Sequence, residues 1–82
     1  MDGFGERLRR ARERVGLGQR DLAAAAGIGV ATVARLEVGQ THPRPVTVRR
    51  LAAALGVRVP WLAVGEEPML EETKGAGDAV AG

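Results

Sequence analysis

The sequence predicts an all-α fold, a compact bundle of about five short helices. Three observations support this prediction. Apolar residues recur at helical spacing in several segments, most of these segments end in a glycine, and no segment alternates between apolar and polar residues for long enough to form a strand. With 82 residues and no cysteine, the chain forms one small domain, near the low end of the sizes that fold without disulfides or metals.

The predicted helices follow one another with short connections. The first ends at Gly16, the second spans residues 19–26, and the third spans about residues 30–38. The fourth follows the loop QTHPRPV with Thr47 as its cap, and the fifth lies within VRVPWLAVG. Apolar residues on their inner faces are Phe4, Leu8, Ala11 and Val15 in the first helix, Val48, Leu51, Ala52 and Leu55 in the fourth, and Trp61 and Leu62 in the fifth.

Helical patterning ends after residue 65. The remaining segment, EEPMLEETKGAGDAVAG, is acidic and then rich in small residues. Such a composition lacks the apolar side chains that a packed core needs. We therefore expect residues 1–65 to form one domain and residues 66–82 to form a mostly disordered acidic tail, with docking of Met69 and Leu70 as the alternative.

Charge is distributed unevenly between these two parts. Residues 1–65 contain 11 arginines and five acidic residues, a net charge of +6, whereas residues 66–82 contain one lysine and five acidic residues, a net charge of −4. The predicted domain is therefore strongly basic. Composition alone leaves two interpretations open: a solvated arginine-rich surface, or a face that binds a polyanion.

The inventory of reactive side chains is poor for catalysis. The chain has no Cys or Tyr, one His and one Lys, and none of its glycine pairs extends to the GxGxxG nucleotide-binding pattern. We expect no enzyme, no cofactor, no metal site and no small-molecule ligand. The longest uncharged run has 13 residues, and the N-terminus does not resemble a signal peptide. These features predict a soluble, cytoplasmic protein with no membrane partner.

The junction between the second and third helices is the most informative feature. Ala23 is small enough for two helices to cross closely, and Gly27 tolerates the positive φ that a tight turn requires. Five further positions that seat the third helix on the second are apolar or small, namely Leu22, Ala26, Ile28, Val33 and Leu36. Seven such positions in register within 18 residues predict a helix-turn-helix.

Three motifs carry a resemblance to a known family: LRRARERVGLGQRDLAAAAGI, ATVARLEVGQTHPRP and LAAALGVRVPWLAVGE. Together they cover roughly residues 5–65. The sequence resembles the Cro/phage-repressor (XRE) family, whose members are lambda-repressor-like helix-turn-helix DNA-binding domains. The resemblance implies a small transcriptional regulator, with repression as its expected activity, that binds double-stranded DNA sequence-specifically with its third helix in the major groove.

The resemblance also implies which residues read the bases. The groove-facing positions of the third helix are Val30, Ala31, Thr32 and Arg35. Among them only Arg35 can donate two hydrogen bonds to one base, and guanine O6 and N7 are its natural acceptors. Val30, Ala31 and the Thr32 methyl group suit thymine methyl groups, and Thr32 also suits a phosphate.

The remaining roles concern the DNA backbone and the fold. Arg12 and Glu37 match a family pair that anchors the first helix to the end of the third. The phosphate-contacting positions implied by the resemblance are Gln19, Arg12, Thr41, His42 and Arg44.

A protein-binding module on the same fold is the alternative, for example an antitoxin-like partner or an adaptor with weak or lost DNA readout. The apolar Val30 and Ala31 favour this alternative, whereas the +6 charge and the residues Gln19, Arg35 and Arg44 favour DNA binding.

A single domain of this size reads few base pairs. DNA binding therefore predicts a homodimer on a near-palindromic operator, with half-sites about one helical turn apart. The fourth and fifth helices, with Val59 and Trp61 nearby, are the predicted dimer surface, and Trp61 itself is expected in the core.

Overall fold

The computed structural model describes residues 3–71, and within this range the chain forms five helices and no strand. The helices are α1 (Phe4–Arg14), α2 (Gln19–Ala26), α3 (Val30–Glu37), α4 (Pro45–Leu55) and α5 (Val59–Val64). The all-α prediction is confirmed. None of these helices has the length and apolar character that crossing a membrane requires.

Helix α4 begins earlier than the sequence prediction. Thr47 was the expected cap, but the helix starts at Pro45, and Arg44 is its N-cap with extended backbone (φ −81°, ψ 153°). Proline suits the first helical position because its fixed φ is already helical and its missing N–H would have no partner there. The prediction of Thr47 as the cap is therefore wrong, and the loop between α3 and α4 is confined to residues 38–44.

The core is a single cluster to which all five helices contribute. Helix α1 packs on α3 and α5, α2 packs on α3 and α4, and α4 packs on α5. Trp61 is the largest fully buried side chain, with 1% of its surface exposed. Val15, predicted to lie on the inner stripe, is exposed because α1 ends before it. The other buried apolar residues are Leu8, Ala11, Leu22, Ala23, Ala26, Val33, Leu36, Val48, Leu51, Ala52, Leu55, Val57 and Leu62.

The predicted helix-turn-helix is present in α2 and α3. Gly27 ends α2 in the left-handed conformation, with φ 71°, and the N–H of Ile28 donates to the carbonyl of Ala23 at 3.0 Å. Ala23 is buried in the packing between the helices, where a larger side chain would hold them apart. The turn and the crossing therefore depend on the small residues that the sequence offers.

Helix α1 lies unusually close to the end of α3. A β-carbon at Gly5 would be 2.6 Å from the carbonyl oxygen of Leu36 and closer still to that of Glu37. Because those atoms belong to the backbone, no side-chain adjustment would relieve the overlap. Gly5 thus sets the distance between the start of α1 and the end of α3.

Packing continues beyond the predicted domain boundary at residue 65. The N–H of Arg58 donates to the carbonyl of Met69 at 2.8 Å, and the Met69 side chain packs against the core. The Arg58 guanidinium donates to the carbonyls of Glu66 and Pro68 at 3.3 and 2.9 Å. The first residues of the predicted tail are therefore packed on the domain, and residues 72–82 of that tail lie outside the described range.

Candidate nucleic-acid interface

Three of the four predicted base-reading residues share the outer face of α3. Val30, Ala31 and Arg35 are exposed, and at 100° per residue they lie within about 140° of the helix circumference. The opposite side of the helix carries the buried Val33 and Leu36. We call Val30, Ala31 and Arg35 the reading face.

Thr32, the fourth predicted base reader, lies apart from the reading face. It is half-buried and lines a recess of about 280 Å³ between α3 and the following loop. The predicted phosphate-contacting residues Thr41, His42 and Arg44 line the same recess. This loop recess therefore brings one predicted contact residue of α3 together with three predicted contact residues of the α3–α4 loop.

The carboxylate of Glu37, at the end of α3, joins three helices. Both Glu37 carboxylate oxygens accept from Arg12 of α1, with distances of 2.5 Å from Nε and 3.0 Å from Nη2. Gln19 of α2 donates from Nε2 to Glu37 Oε1 at 3.0 Å. The Glu37 side chain is only 4% exposed and that of Arg12 13%. The predicted Arg12–Glu37 pair is thus in direct, bidentate contact.

Ionisation of this cluster is favoured by its hydrogen bonds. Burial alone would raise the pKa of Glu37, but the hydrogen bonds from Arg12 and Gln19 and the positive charges of Arg12 and Arg9 outweigh burial and hold the pKa below its ordinary value. The hydrogen bond to Glu37 raises the pKa of Arg12 despite the desolvation of the guanidinium. Both groups are therefore charged at neutral pH.

These internal bonds limit what Arg12 and Gln19 offer to a phosphate. Arg12 also donates from Nη1 to the carbonyl of Leu17 at 3.0 Å, so three of its N–H groups are used within the fold. Gln19 keeps one amide hydrogen, and its backbone N–H, as the first of α2, has no partner within the helix. Both residues therefore have a structural role within the fold, and each offers fewer free donors to a phosphate than the sequence suggested.

Several arginines that the sequence presented only as positive charge brace helix ends. Arg7 is 6% exposed and donates to the carbonyls of Leu62 and Ala63 at 3.1 and 3.0 Å, at the end of α5. Arg14 donates to Leu55 of α4, and Arg50 donates to Gly27 at the turn of the helix-turn-helix. Carbonyls at a helix end have no partners within the helix, so arginine donors satisfy them. Contacts so distant in sequence leave no periodic signal.

Other arginines remain directed to solvent. Arg20, Arg35, Arg44 and Arg49 are exposed, and their side chains form no ion pair or hydrogen bond with any residue between 3 and 71. Arg20 is the second residue of α2, next to Gln19, and Arg44 lines the loop recess. The sequence prediction omitted Arg20 and Arg49, although their spacing on helices marks them as surface residues.

A second exposed surface is apolar and lies on α4 and α5. Val46, Val59 and Val64 are 45%, 38% and 73% exposed. Val59 and Ala63 of α5 line a recess together with Pro43, Pro45, Val48 and Arg49. Trp61 is buried in the core, as its inward position on the fifth helix predicted, and does not contribute to this surface. We call Val46, Val59, Ala63 and Val64 the apolar surface.

Known proteins resemble this chain in sequence and structure. HTH-type transcriptional regulator DdrOP3 of Deinococcus deserti is 41% identical over 71 residues, which are 87% of this chain and 55% of that protein. HTH-type transcriptional repressor RghR of Bacillus subtilis is 40% identical over 58 residues, which are 70% of this chain and 43% of that protein. The chain thus spans about half the length of these relatives.

A solved structure with similar sequence shares the fold. The restriction-modification controller protein C.AhdI of Aeromonas hydrophila superimposes with a TM-score of 0.70 at 37% identity, covering 72% of this chain and 89% of that protein. The pattern of the helix-turn-helix family matches residues 8–62, from the middle of α1 into α5. The chain therefore belongs to the helix-turn-helix family, in the Cro/phage-repressor (XRE) group that its motifs predicted.

Proposed function

We propose that this protein is a transcriptional regulator that binds double-stranded DNA with α3 in the major groove. The observation that carries the proposal is the exposed Arg35, which has no partner among residues 3–71 and shares the reading face with two small apolar side chains. A guanidinium with free donors on a rigid helix suits the O6 and N7 acceptors of guanine. Val30 and Ala31 suit the methyl groups of neighbouring thymines.

Backbone contacts flank the reading face in this proposal. On one side, the first turn of α2 offers the Gln19 backbone N–H, one Gln19 amide hydrogen and the exposed Arg20. On the other side, the loop recess offers Thr32, Thr41, His42 and Arg44. Thr32 acts here as a phosphate contact, because it lines the recess and not the reading face. Arg12 supplies at most its two remaining N–H groups.

Rigid support of α3 favours readout by direct contact. Arg12 and Gln19 both hold Glu37 at the end of the helix, and Gly5 allows the start of α1 to pack against it. A helix held in this way loses little backbone entropy on binding. A reading face with one strong donor also leaves much of the affinity to phosphate contacts and DNA shape.

A homodimer on a near-palindromic site completes the proposal. The apolar surface on α4 and α5 offers Val59 and Val64 to a second copy, and desolvation of such side chains favours association. Two copies related by a two-fold axis present two reading helices to half-sites about one turn, or 34–36 Å, apart. The names of the relatives, a transcriptional regulator and a transcriptional repressor, support gene regulation, with repression as the expected outcome.

The test is a selection of bound duplexes from a random library at two salt concentrations, followed by sequencing. We expect a near-palindromic motif containing a guanine in each half-site, and retention that falls steeply with salt because phosphate binding releases counterions. Absence of retained DNA even at low salt would refute DNA binding. Such a result would favour a protein-binding role for the same fold.

A further inference from the structure

Arg7 fastens α5 to α1 through the backbone. Its Nε donates to the carbonyl of Leu62 and its Nη2 to that of Ala63, and the residue is 6% exposed. Gly65 closes the site from the other side, because a β-carbon there would lie 3.4 Å from Arg7 Nη1. Two parallel donors on one planar group restrict both the distance and the rotation of α5.

Helix α1 also holds α3, through a second arginine. Arg12 lies five residues after Arg7 on α1 and binds Glu37 at the end of α3 with two hydrogen bonds. Helix α1 packs on both α3 and α5. Helix α1 therefore links the helix that carries Arg35 to the helix that carries Val59 and Val64.

We propose that Arg7 is a positioning residue that fixes the apolar surface relative to the reading face and thereby sets the spacing of DNA half-sites. The inference rests on the proposed function, since α5 must contribute to the dimer. In a two-fold dimer that forms through α5, the distance between the two α3 helices depends on how each copy positions α5 relative to its own α3. If α5 is loosened, each copy still reads its half-site, but the two no longer favour one spacing.

The experiment uses the full chain and the duplex obtained from library selection. Affinities are measured for three duplexes, whose half-sites have the selected spacing or are one base pair closer or farther apart, and for a single half-site. Arg7→Lys keeps the positive charge but replaces the two-donor planar group by a point donor. Arg9→Lys is the matched control, because Arg9 lies on the same helix, is 57% exposed and only approaches Glu6 and Glu13 at 3.9 and 4.0 Å.

We expect wild type and Arg9→Lys to bind the selected spacing at least about tenfold more tightly than the altered spacings, through the gain from simultaneous engagement. Arg7→Lys is expected to lose about tenfold on the selected spacing and to discriminate less than about threefold between spacings, while its half-site affinity changes less than twofold. Gly65→Ala is the second variant. It crowds the Arg7 guanidinium and strains a residue with φ +80°, and we expect it to relax the spacing preference in the same direction.

Each other outcome overturns a defined part of the account. If wild type prefers one spacing and Arg7→Lys and Gly65→Ala, both folded by circular dichroism, keep that preference, the role of Arg7 is wrong and the proposed function stands. If Arg7→Lys loses affinity equally for the half-site and for every spacing, Arg7 only stabilises the fold and does not set the spacing. If wild type binds without a spacing preference, the dimer and the role of Arg7 both fail. If it binds no duplex, DNA binding itself fails.

Discussion

Removing the charge of Glu37 tests whether the carboxylate holds α1, α2 and α3 together. In Glu37→Gln the two oxygens that accept from Arg12 and Gln19 become one oxygen and one amide nitrogen. One donor of Arg12 then faces another donor, and a guanidinium that is 13% exposed loses its counterion. Breaking a buried ion pair from one side costs about 3–5 kcal/mol, so a shape-preserving change should cost about 3 kcal/mol.

The size of this loss matters because small domains have little stability. About 65 packed residues correspond to an unfolding free energy of roughly 3–10 kcal/mol. The assay is urea unfolding followed by the fluorescence of Trp61, which is the single tryptophan and is buried. Glu13→Gln is the control, because Glu13 is 63% exposed and only approaches Arg9 at 4.0 Å; we expect a change below about 0.5 kcal/mol. A loss below about 1 kcal/mol in Glu37→Gln would refute the anchoring role.

Three further predictions concern stability, phosphate binding and assembly. Because folding lowers the pKa of Glu37, its carboxylate stabilises the protein at pH values above 4.5, the ordinary pKa, and this stabilisation disappears as the pH falls through the folded-state pKa. The difference in unfolding free energy between wild type and Glu37→Gln should therefore shrink below pH 4.5. A difference that stays constant with pH would contradict the assignment. Arg44→Ala should weaken all duplexes alike and reduce the salt slope of binding by about 1 per subunit, and sequence-dependent loss would place Arg44 among the base readers. Val64→Asp should shift the protein to monomer in sedimentation equilibrium, whereas Val38→Asp, at an equally exposed site outside the apolar surface, should not; an unchanged dimer in Val64→Asp would move the interface elsewhere.

Much of the fold followed from local sequence rules. Apolar spacing in α4 placed all four of its predicted inner residues in the core, and Gly27 adopts the positive φ that the turn requires. Local rules were misleading where two signals competed. At the start of α4, threonine is a common cap, but proline two residues earlier already has helical φ and begins the helix.

The site was predictable only in part because its geometry depends on contacts between distant residues. Helical spacing places Arg7 beside the apolar stripe of α1 and the exposed Arg9 away from it. The partner of Arg7 could not be predicted, because Arg7 and Leu62 are 55 positions apart. Gln19 looked like a free phosphate donor, yet the structure turns its amide towards Glu37. Thr32 looked equivalent to its neighbours on α3, but the rotation of about 100° per residue around the helix axis places it in the loop recess, apart from the reading face.

Direct contact between Arg35 and a guanine is the central claim. A double-mutant cycle, in which the guanine and Arg35 are changed separately and together, measures the coupling free energy between them. The guanine of the selected half-site is replaced by 7-deazaguanine, which lacks the N7 acceptor, and each duplex is titrated with wild type and with Arg35→Ala. Loss of one acceptor of a bidentate pair should cost wild type about 1 kcal/mol per half-site, and Arg35→Ala should bind both duplexes equally. Equal losses for the two proteins would contradict base reading by Arg35 and, with it, the orientation of α3 on DNA.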